Sequence, residues 1–313
     1  MTGAYKDSPL IELESSQKIR TVAFASNGEY LVSGHYETVR AWRVEDGEQT
    51  ATMAARRINC LAVSQDGRWI AAGTKKDVFV WDAKTYEKVF TLEDHYVIGV
   101  DFSPDSTQLA TASLHCTATI WNIGTRERIV LRHEDTVRAA KYSPQGDRIA
   151  TATPYSVQIW DTNDGCLLVH IPVKVTPWFN TGLLWFNNNL FVLSNNKIKQ
   201  FEASTGSKIS EWSVADADNT SSIALPQHRE FIAHSTKRTV TFWDTSTYTQ
   251  LGLIQHPQDI CSIALSPDDR FLAIGEKGGK ITVRSLSRII ASIMSRTGHG
   301  VSEHLSFSGH IST

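Results

Sequence analysis

Hydrophobic and polar residues alternate along most of the chain, in segments of about five residues separated by polar turns. Within residues 97–132, the segments "VIGVDF", "TQLATAS", "TATIW" and "RIVLR" follow one another, with the turn "SPDS" after the first. Alternation with a period of two, bounded by Gly, Pro, Asn, Asp or Ser, is typical of half-buried β-strands joined by hairpins. This stretch therefore predicts four consecutive antiparallel strands.

The same unit recurs along the chain, and an aromatic ring ends the third strand of most copies. Five copies end on Trp, and two weaker copies end on Phe or Arg. The positions, spaced by 39 to 42 residues, are Trp42, Trp81, Trp121, Trp160, Phe201, Trp243 and Arg284. A unit of four strands repeated at this period is one blade of a β-propeller. We therefore predict an all-β fold, a seven-bladed β-propeller of four-stranded antiparallel blades.

The two ends of the chain indicate how the ring of blades closes. The last copy has three evident strands, whereas "LIELE" at residues 10–14 supplies an extra strand before the first copy. We expect this N-terminal strand to complete the last blade, because a shared blade removes an exposed sheet edge. The alternative is that residues 287–294 supply the missing strand.

A helix is the better prediction for the segment after the last strand. Its apolar residues have the spacing of an amphipathic helix, and they are Leu286, Ile289, Ile290, Ile293 and Met294. The following residues are rich in Ser, Gly and His, which predicts disorder. The domain organisation is then an N-terminal tail over 1–9, the propeller over 10–286, and a short helix with a disordered tail over 287–313.

The chain resembles the WD-repeat family of β-propellers over residues 10–286. The Trp-Asp dipeptide occurs at Trp81, Trp160 and Trp243, and near matches occur at Trp121-Asn122 and Trp42-Arg43. In combination with the recurring turns and strand pairs, this motif is specific. The resemblance implies a structural role for these five tryptophans, each packed between blades.

The resemblance also implies a polar network inside the blades. In the family, a His before the first strand and an Asp in a later turn hydrogen-bond with a Ser or Thr and with the Trp. The residues that match this His are His95, His133 and His256. The positions near the turn Asp hold Lys76, His115 and Tyr155 instead, so apolar packing is expected to contribute more to stability.

Charge and hydropathy restrict the classes of partner. The 313 residues carry 31 basic and 33 acidic side chains, for a net charge of −2. No global field attracts the protein to nucleic acid or to an anionic membrane, and we predict neither as a partner. The N-terminal residues lack the apolar run of a signal peptide, and no run approaches the ~20 residues of a membrane span. We expect a monomer in the cytoplasm or the nucleus.

The four cysteines, Cys60, Cys116, Cys166 and Cys261, are far apart in the sequence. A zinc site requires clustered Cys or His ligands, and a disulfide framework is typical of small secreted domains. We therefore predict reduced thiols and no metal.

No motif in the sequence indicates catalysis. The nucleophile elbow, the dinucleotide fingerprint and the phosphate-binding loop are absent, and "HEDTV" at 133–137 lacks the second His of a zinc-protease motif. We predict a protein that is not an enzyme and has no cofactor. The alternative is a propeller enzyme of the hydrolase, lactonase or quinoprotein type, whose site over the central channel would combine residues from several blades.

The predicted function is binding of another protein or peptide, as a scaffold or sensor. The loops from fourth to first strands and from second to third strands share one face of a propeller, the top, and carry basic side chains beside an acidic sector formed by Glu93, Asp94, Glu134 and Asp135. A solvated mixed surface is the alternative interpretation. Trp178, on the proline-braced loop "IPVKVTPWFN", either begins a buried strand or binds a partner. The candidate partner-binding residues are Trp178, Arg56, Arg57, Lys75, Lys76, Tyr36, Tyr96 and Tyr155.

Overall fold

The computed structural model describes residues 9–176, 182–214, 222–226 and 231–297. These residues form seven four-stranded antiparallel sheets, and the first strands of neighbouring sheets contact one another in a closed ring. The prediction of an all-β, seven-bladed propeller is confirmed. Each sheet is one blade, and the first strands surround a central channel.

The strands of the first four blades are as follows. Blade one contains β2 (Thr21–Phe24), β3 (Tyr30–Gly34), β4 (Thr38–Arg43) and β5 (Gln49–Ala54). Blade two contains β6 (Cys60–Val63), β7 (Trp69–Gly73), β8 (Val78–Asp82) and β9 (Lys88–Leu92). Blade three contains β10 (Val97–Phe102), β11 (Gln108–Ser113), β12 (Thr117–Asn122) and β13 (Arg128–Arg132). Blade four contains β14 (Ala139–Tyr142), β15 (Arg148–Ala152), β16 (Ser156–Asp161) and β17 (Leu167–Pro172).

The remaining three blades complete the ring. Blade five contains β18 (Leu183–Phe186), β19 (Asn189–Ser194), β20 (Lys197–Glu202) and β21 (Lys208–Ser213). Blade six contains β22 (Ser222–Ala224), β23 (Phe231–Ser235), β24 (Thr239–Asp244) and β25 (Gln250–Gln255). Blade seven contains β26 (Ile260–Leu265), β27 (Phe271–Glu276), β28 (Lys280–Ser285) and β1 (Ile11–Glu14). One α-helix, α1 (Leu286–Thr297), follows β28.

The N-terminal strand closes the ring, as the sequence predicts. Strand β1 pairs antiparallel with β28, and Leu13 lies opposite Ile281 in this pairing. Leu13 is buried, and the Nζ atom of Lys280 lies 2.6 Å from a carboxylate oxygen of Glu12 across the same pair. Blade seven is therefore assembled from both ends of the chain, and β28 has a partner on each side.

The recurring rings pack between neighbouring blades. Trp121, on β12, is buried against Val78 and Val80 of blade two. Trp160, on β16, is buried in the same way against Ile120 of blade three. Related packing places Trp42 against blade seven, Trp81 against blade one, Phe201 against blade four and Trp243, which is partly exposed, against blade five.

The boundary between blades six and seven is built differently, because Arg284 stands where the other blades have a ring. Here α1 adds Leu286, Ile289 and Ile290 to a core shared by both blades. The helix thus supplies apolar area between these blades. The predicted disordered tail beyond it lies outside the described residues.

Polar groups inside the blades form short relays that end on the tryptophans. In blade four, Trp160 Nε1 donates to Thr151 Oγ1 at 2.8 Å, and Thr151 Oγ1 lies 2.8 Å from His133 Nε2. In blade three, Trp121 Nε1 lies 3.4 Å from Thr111 Oγ1, and Thr111 donates to Asp94.

The three histidines expected in these relays have different surroundings. His133 contacts the Thr of its blade, as the family pattern implies. His256 Nε2 lies 3.2 Å from Thr282 Oγ1 in a blade whose ring position is Arg284. In blade three, however, Asp94 makes the contact that was expected of His95, whose Nδ1 lies 2.7 Å from the carbonyl oxygen of Lys76.

Candidate partner-binding face

The top face of the propeller is the edge where β5 joins β6, β9 joins β10, and the second strand of each blade joins the third. Among the residues predicted to bind a partner, Arg56, Arg57, Lys76 and Tyr36 are exposed there, and Lys75 is partly buried. The two loops that carry Arg57 and Tyr96 share a backbone feature, since φ is 59° and 53° at these residues.

Each of these two exposed loop residues is followed in the sequence by a buried apolar residue. Arg57 and Tyr96 precede Ile58 and Val97, respectively, and both of these apolar side chains are fully buried. Each loop is therefore anchored one residue after its exposed side chain. A non-glycine residue with positive φ is uncommon, so the same turn in both loops is a specific feature of the fold.

The first group of contacts joins blade one to the loops that precede and follow it. The backbone N–H of Arg57 donates to the carbonyl oxygen of Tyr36 at 2.6 Å. The guanidinium carbon of Arg20 lies 5.8 Å from the centre of the Tyr36 ring, within the distance of a cation–π contact. Arg20 Nη1 also donates to Asn59 Oδ1 at 3.4 Å. Arg20 thus lies over the Tyr36 ring, and Arg57 is joined to the backbone of Tyr36.

The second group of contacts lies at the top of blades two and three. Lys75 Nζ lies 4.8 Å from the centre of the Tyr96 ring, and the N–H of Tyr96 donates to the carbonyl oxygen of Lys75 at 2.9 Å. The ring of His115 is stacked on Tyr96 at a centroid distance of 5.1 Å. The second group therefore also places a cation on a tyrosine ring.

The side chain of Asn59 connects the two groups through two hydrogen bonds. It accepts from Arg20 and donates through Nδ2 to the carbonyl oxygen of Val97 at 3.0 Å. The tyrosines are separated from the cations in the sequence, and folding brings them together.

Two candidates remain, Tyr155 and Trp178. Tyr155, the most exposed of the three tyrosines at 68%, lies in blade four, where its carbonyl oxygen accepts from the N–H of Val173 at 3.0 Å. Trp178 lies outside the described residues, but Thr176 and Gly182 on either side of it both hydrogen-bond to the backbone of Leu193. Leu193 is at the top end of β19, so these flanking residues belong to the top face.

The acidic sector differs in one respect from the prediction. Glu93 and Glu134 are exposed, but Asp94 and Asp135 are partly buried, and Asp94 accepts a hydrogen bond from Thr111. Burial raises the pKa of the Asp94 carboxyl above its usual value. Asp94 is therefore an internal group of blade three, and the surface charge of this sector is smaller than the sequence suggests.

The central channel opens onto the top face, and its volume is about 560 Å³. Lys18, Arg20 and Asn59 are among the residues that line it, and further along the channel the lining is mainly apolar. Asp101 is the one carboxylate in the lining that the structure describes, and its Oδ1 lies 2.7 Å from Lys141 Nζ. The channel interior is thus electrically balanced, whereas the described residues at its entrance include two cations.

Lys18 and Arg20 are absent from the residues that the sequence singles out, although the repeat contains a signal for them. The N–H groups of Arg20, Asn59 and Arg138 each donate to the carbonyl oxygen of the residue that ends the second strand of their blade. These three residues are therefore equivalent by register, just before the first strand. Aligning the loop "SSQKIR" with the later loops would have assigned Arg20 to the entrance.

Two of the cysteine thiols lie in surroundings that disfavour the charged thiolate form. Burial raises the pKa of the Cys60 thiol to about 12 and raises that of Cys261 despite the cations Lys18, Lys277 and Arg20 nearby. Within the described ranges, no group of three or more His, Cys, Asp or Glu side chains is arranged to hold a metal ion. In the same ranges, no helix has the length and hydrophobicity needed to cross a membrane.

The fold and its repeated tryptophan relays define the class of protein as a seven-bladed β-propeller. Five segments match the family model for WD40, described as WD domain, G-beta repeat, and they are residues 8–43, 47–82, 86–122, 124–161 and 247–284. Because these segments cover more than half of the chain, the protein belongs to the WD40 family. A comparison with curated proteins finds no significant match to the chain.

Proposed function

We propose that the protein is a non-catalytic interaction platform that binds another protein or peptide on its top face, as a scaffold or a sensor in a larger assembly. Members of the WD40 family typically act as protein-interaction scaffolds. The observation that carries the proposal is the joint position of Tyr36 and Tyr96, each 36% exposed or more and each beside a cation. Tyrosine and arginine are enriched among residues that dominate binding energy.

The lining of the channel counts against the alternative of a propeller enzyme. A carboxylate that acts as a general acid or base must be free to exchange a proton with the substrate. Among the described lining residues, Asp101 is paired with Lys141 and also accepts from the N–H of Tyr142 at 3.0 Å. This arrangement favours a structural role for the pair, and we propose no catalytic residue.

A capture experiment with matched aromatic variants tests the proposal. The double variant Tyr36→Ala/Tyr96→Ala should lose captured partners while its melting temperature stays close to that of the wild type. The control is Trp185→Ala, because Trp185 is a partly exposed aromatic residue at the opposite end of the channel. Loss of capture with Trp185→Ala alone would assign binding to the bottom face, and a measured turnover of a hydrolase substrate would support the enzyme alternative.

A further inference from the structure

The top face carries a local excess of positive charge. The loops concerned are residues 15–20, 35–37, 55–59, 74–77 and 93–96, and their acidic side chains are Glu37, Asp77, Glu93 and Asp94. Their six cations, which we call the basic sector, are Lys18, Arg20, Arg56, Arg57, Lys75 and Lys76. The whole chain has a net charge of −2, so the overall composition supplies no positive excess. The excess arises because the fold brings these six cations to one face.

Several cations outside the basic sector form ion pairs with carboxylates on the surface. Arg43 lies 2.6 Å from a carboxylate oxygen of Asp46, and Lys197 lies 2.7 Å from one of Glu211. Within the part of the chain that the structure describes, none of the six cations of the basic sector forms an ion pair with a carboxylate. The charge of the sector is thus available to a partner.

The basic sector is also partly pre-organised. Arg20 is held by Asn59 and by the Tyr36 ring, and Lys75 lies on the Tyr96 ring. Side chains fixed before binding lose less conformational entropy when a partner binds. Fixed cations at the entrance of a channel with low-dielectric walls also focus the electrostatic field there.

These features point to a ligand with several negative charges, and we propose that the basic sector binds an acidic peptide segment. This inference rests on the proposed function and specifies the kind of partner. The anionic side chains of the peptide, carboxylates or phosphoryl groups, would meet Lys18 and Arg20 at the channel entrance and Arg57 on the loop beside Tyr36. The rest of the peptide would cross the exposed edges of Tyr36 and Tyr96.

A peptide fits the surroundings of the sector better than a nucleic acid does. Base stacking requires open aromatic faces, whereas cations already lie over the rings of Tyr36 and Tyr96. The exposed carboxylates of Glu37 and Glu93 would repel a nucleic acid, because its backbone carries a negative phosphate at every nucleotide. A peptide can place its acidic residues over the cations and neutral residues elsewhere.

A panel of fluorescent peptides of about 12 residues tests the proposal by fluorescence anisotropy. Four positions are fixed as Glu, as phosphoserine or as Gln, and the other positions vary within the panel. We expect the strongest Glu or phosphoserine peptides to bind at least about tenfold more tightly than their Gln counterparts. Their Kd should rise several-fold between about 50 mM and about 300 mM salt, because screening weakens exposed charge pairs. The comparison of Glu with phosphoserine identifies the preferred anionic group.

Charge-matched variants locate the binding site. Arg20→Gln/Arg57→Gln should weaken binding of the acidic peptide at least about tenfold, since each close charge pair contributes more than 1 kcal/mol in favourable cases. The control Lys84→Gln/Arg288→Gln removes the same charge from exposed residues of the opposite face and of α1, and it should leave the Kd unchanged. Melting curves of both variants check that they are folded.

Three outcomes would overturn the proposal. The first is equal affinity for Glu, phosphoserine and Gln peptides, the second is an equal loss in the control variant, and the third is tighter binding of an oligouridine RNA of similar length. If acidic peptides show no preference while Tyr36→Ala/Tyr96→Ala still abolishes capture, the interaction platform stands and the acidic partner is wrong. If neither Tyr36→Ala/Tyr96→Ala nor Arg20→Gln/Arg57→Gln changes capture, the top-face platform is itself wrong.

Discussion

The indole nitrogen of Trp160 donates a hydrogen bond to Thr151, and the hydroxyl oxygen of Thr151 lies 2.8 Å from His133 Nε2. His133 Nδ1 lies 3.1 Å from the carbonyl oxygen of Leu131, so Nδ1 carries the proton and Nε2 accepts from Thr151. Protonation of Nε2 would reverse this bond, and the Thr151 hydroxyl would then donate to the carbonyl oxygen of Gln158, 3.3 Å away. The neutral histidine is favoured because burial penalises its charged form.

Acid should destabilise the protein through this histidine. Burial lowers the pKa of His133 from 6.5 to about 4, so the unfolded chain binds more protons than the folded protein below pH 6.5. Stability is complete above pH 6.5 and is lost as the pH falls towards 4. Between pH 7 and pH 5 we expect His133 to contribute a loss of about 2 kcal/mol.

Chemical denaturation at pH 7 and pH 5 measures this effect. The variant His133→Gln should be less stable at pH 7 but should lose less stability between the two pH values than the wild type does. Burial also lowers the pKa of His35 and of His256 to about 4, so the variant should keep part of the pH dependence. An unchanged pH dependence in His133→Gln would show that His133 does not titrate in this range.

The packing of Trp121 against blade two makes this ring important for stability. Trp121 is 6% exposed and contacts an apolar core that includes Val78 and Val80. We expect Trp121→Ala to reduce the free energy of unfolding by about 3 to 5 kcal/mol, because it removes a large buried side chain and leaves a cavity. Trp185→Ala should cost clearly less, since Trp185 is partly exposed at the channel. Equal melting temperatures for the wild type and Trp121→Ala would contradict the packing.

Removal of strand β1 should open blade seven. A truncation of residues 1–16 loses the buried Leu13 and exposes the edge of β28. We expect it to lower stability by at least about 2 kcal/mol and to promote association through the free edge. Light scattering and thermal melting measure both effects, and a truncation of residues 298–313 is the control. Monomeric, equally stable truncations would mean that β1 does not close the ring.

A tight contact between β25 and α1 gives a test of the helix position. A Cβ atom added at Gly252 would lie 2.5 Å from the Cγ1 atom of Ile293. Gly252→Ala should therefore destabilise the protein by about 1 to 3 kcal/mol. In a double-mutant cycle, Ile293→Ala should be less harmful in the Gly252→Ala background than in the wild type.

Gly278→Ala is the matched control for this cycle, since no heavy atom lies within 4 Å of a Cβ added there. Its stability should match that of the wild type within about 0.5 kcal/mol. Additive effects of Gly252→Ala and Ile293→Ala would place α1 away from blade six.

The blades could be predicted from sequence because each depends on a local pattern that the chain repeats. The spacing between Trp81 and Trp121 reports one blade, since each ring occupies the same position on a third strand. The different boundary at Arg284 is also visible, because an amphipathic helix follows the position that lacks a ring. These features require no knowledge of contacts distant in the sequence.

The details of the relays and of the top face were harder to predict, because they depend on the direction in which neighbouring polar side chains point. Asp94 and His95 are adjacent, and the sequence does not indicate that the carboxylate of Asp94 enters the blade to reach Thr111. The contacts of Tyr36 with Arg20 and of Tyr96 with Lys75 join separate loops, so they follow from the ring geometry and not from any local motif.

The pairing of β1 with β28 also has a consequence for how the protein is made in the cell. Of the strands that the structure describes, β1 leaves the ribosome first, and its partner β28 is synthesised last. The side chains of Ile11 and Leu13 therefore lack their native partners while the intervening blades are translated. Because pairing between such distant segments is slow, closure of the ring should be the last step in folding of the propeller, and the nascent chain should depend most on chaperones before it.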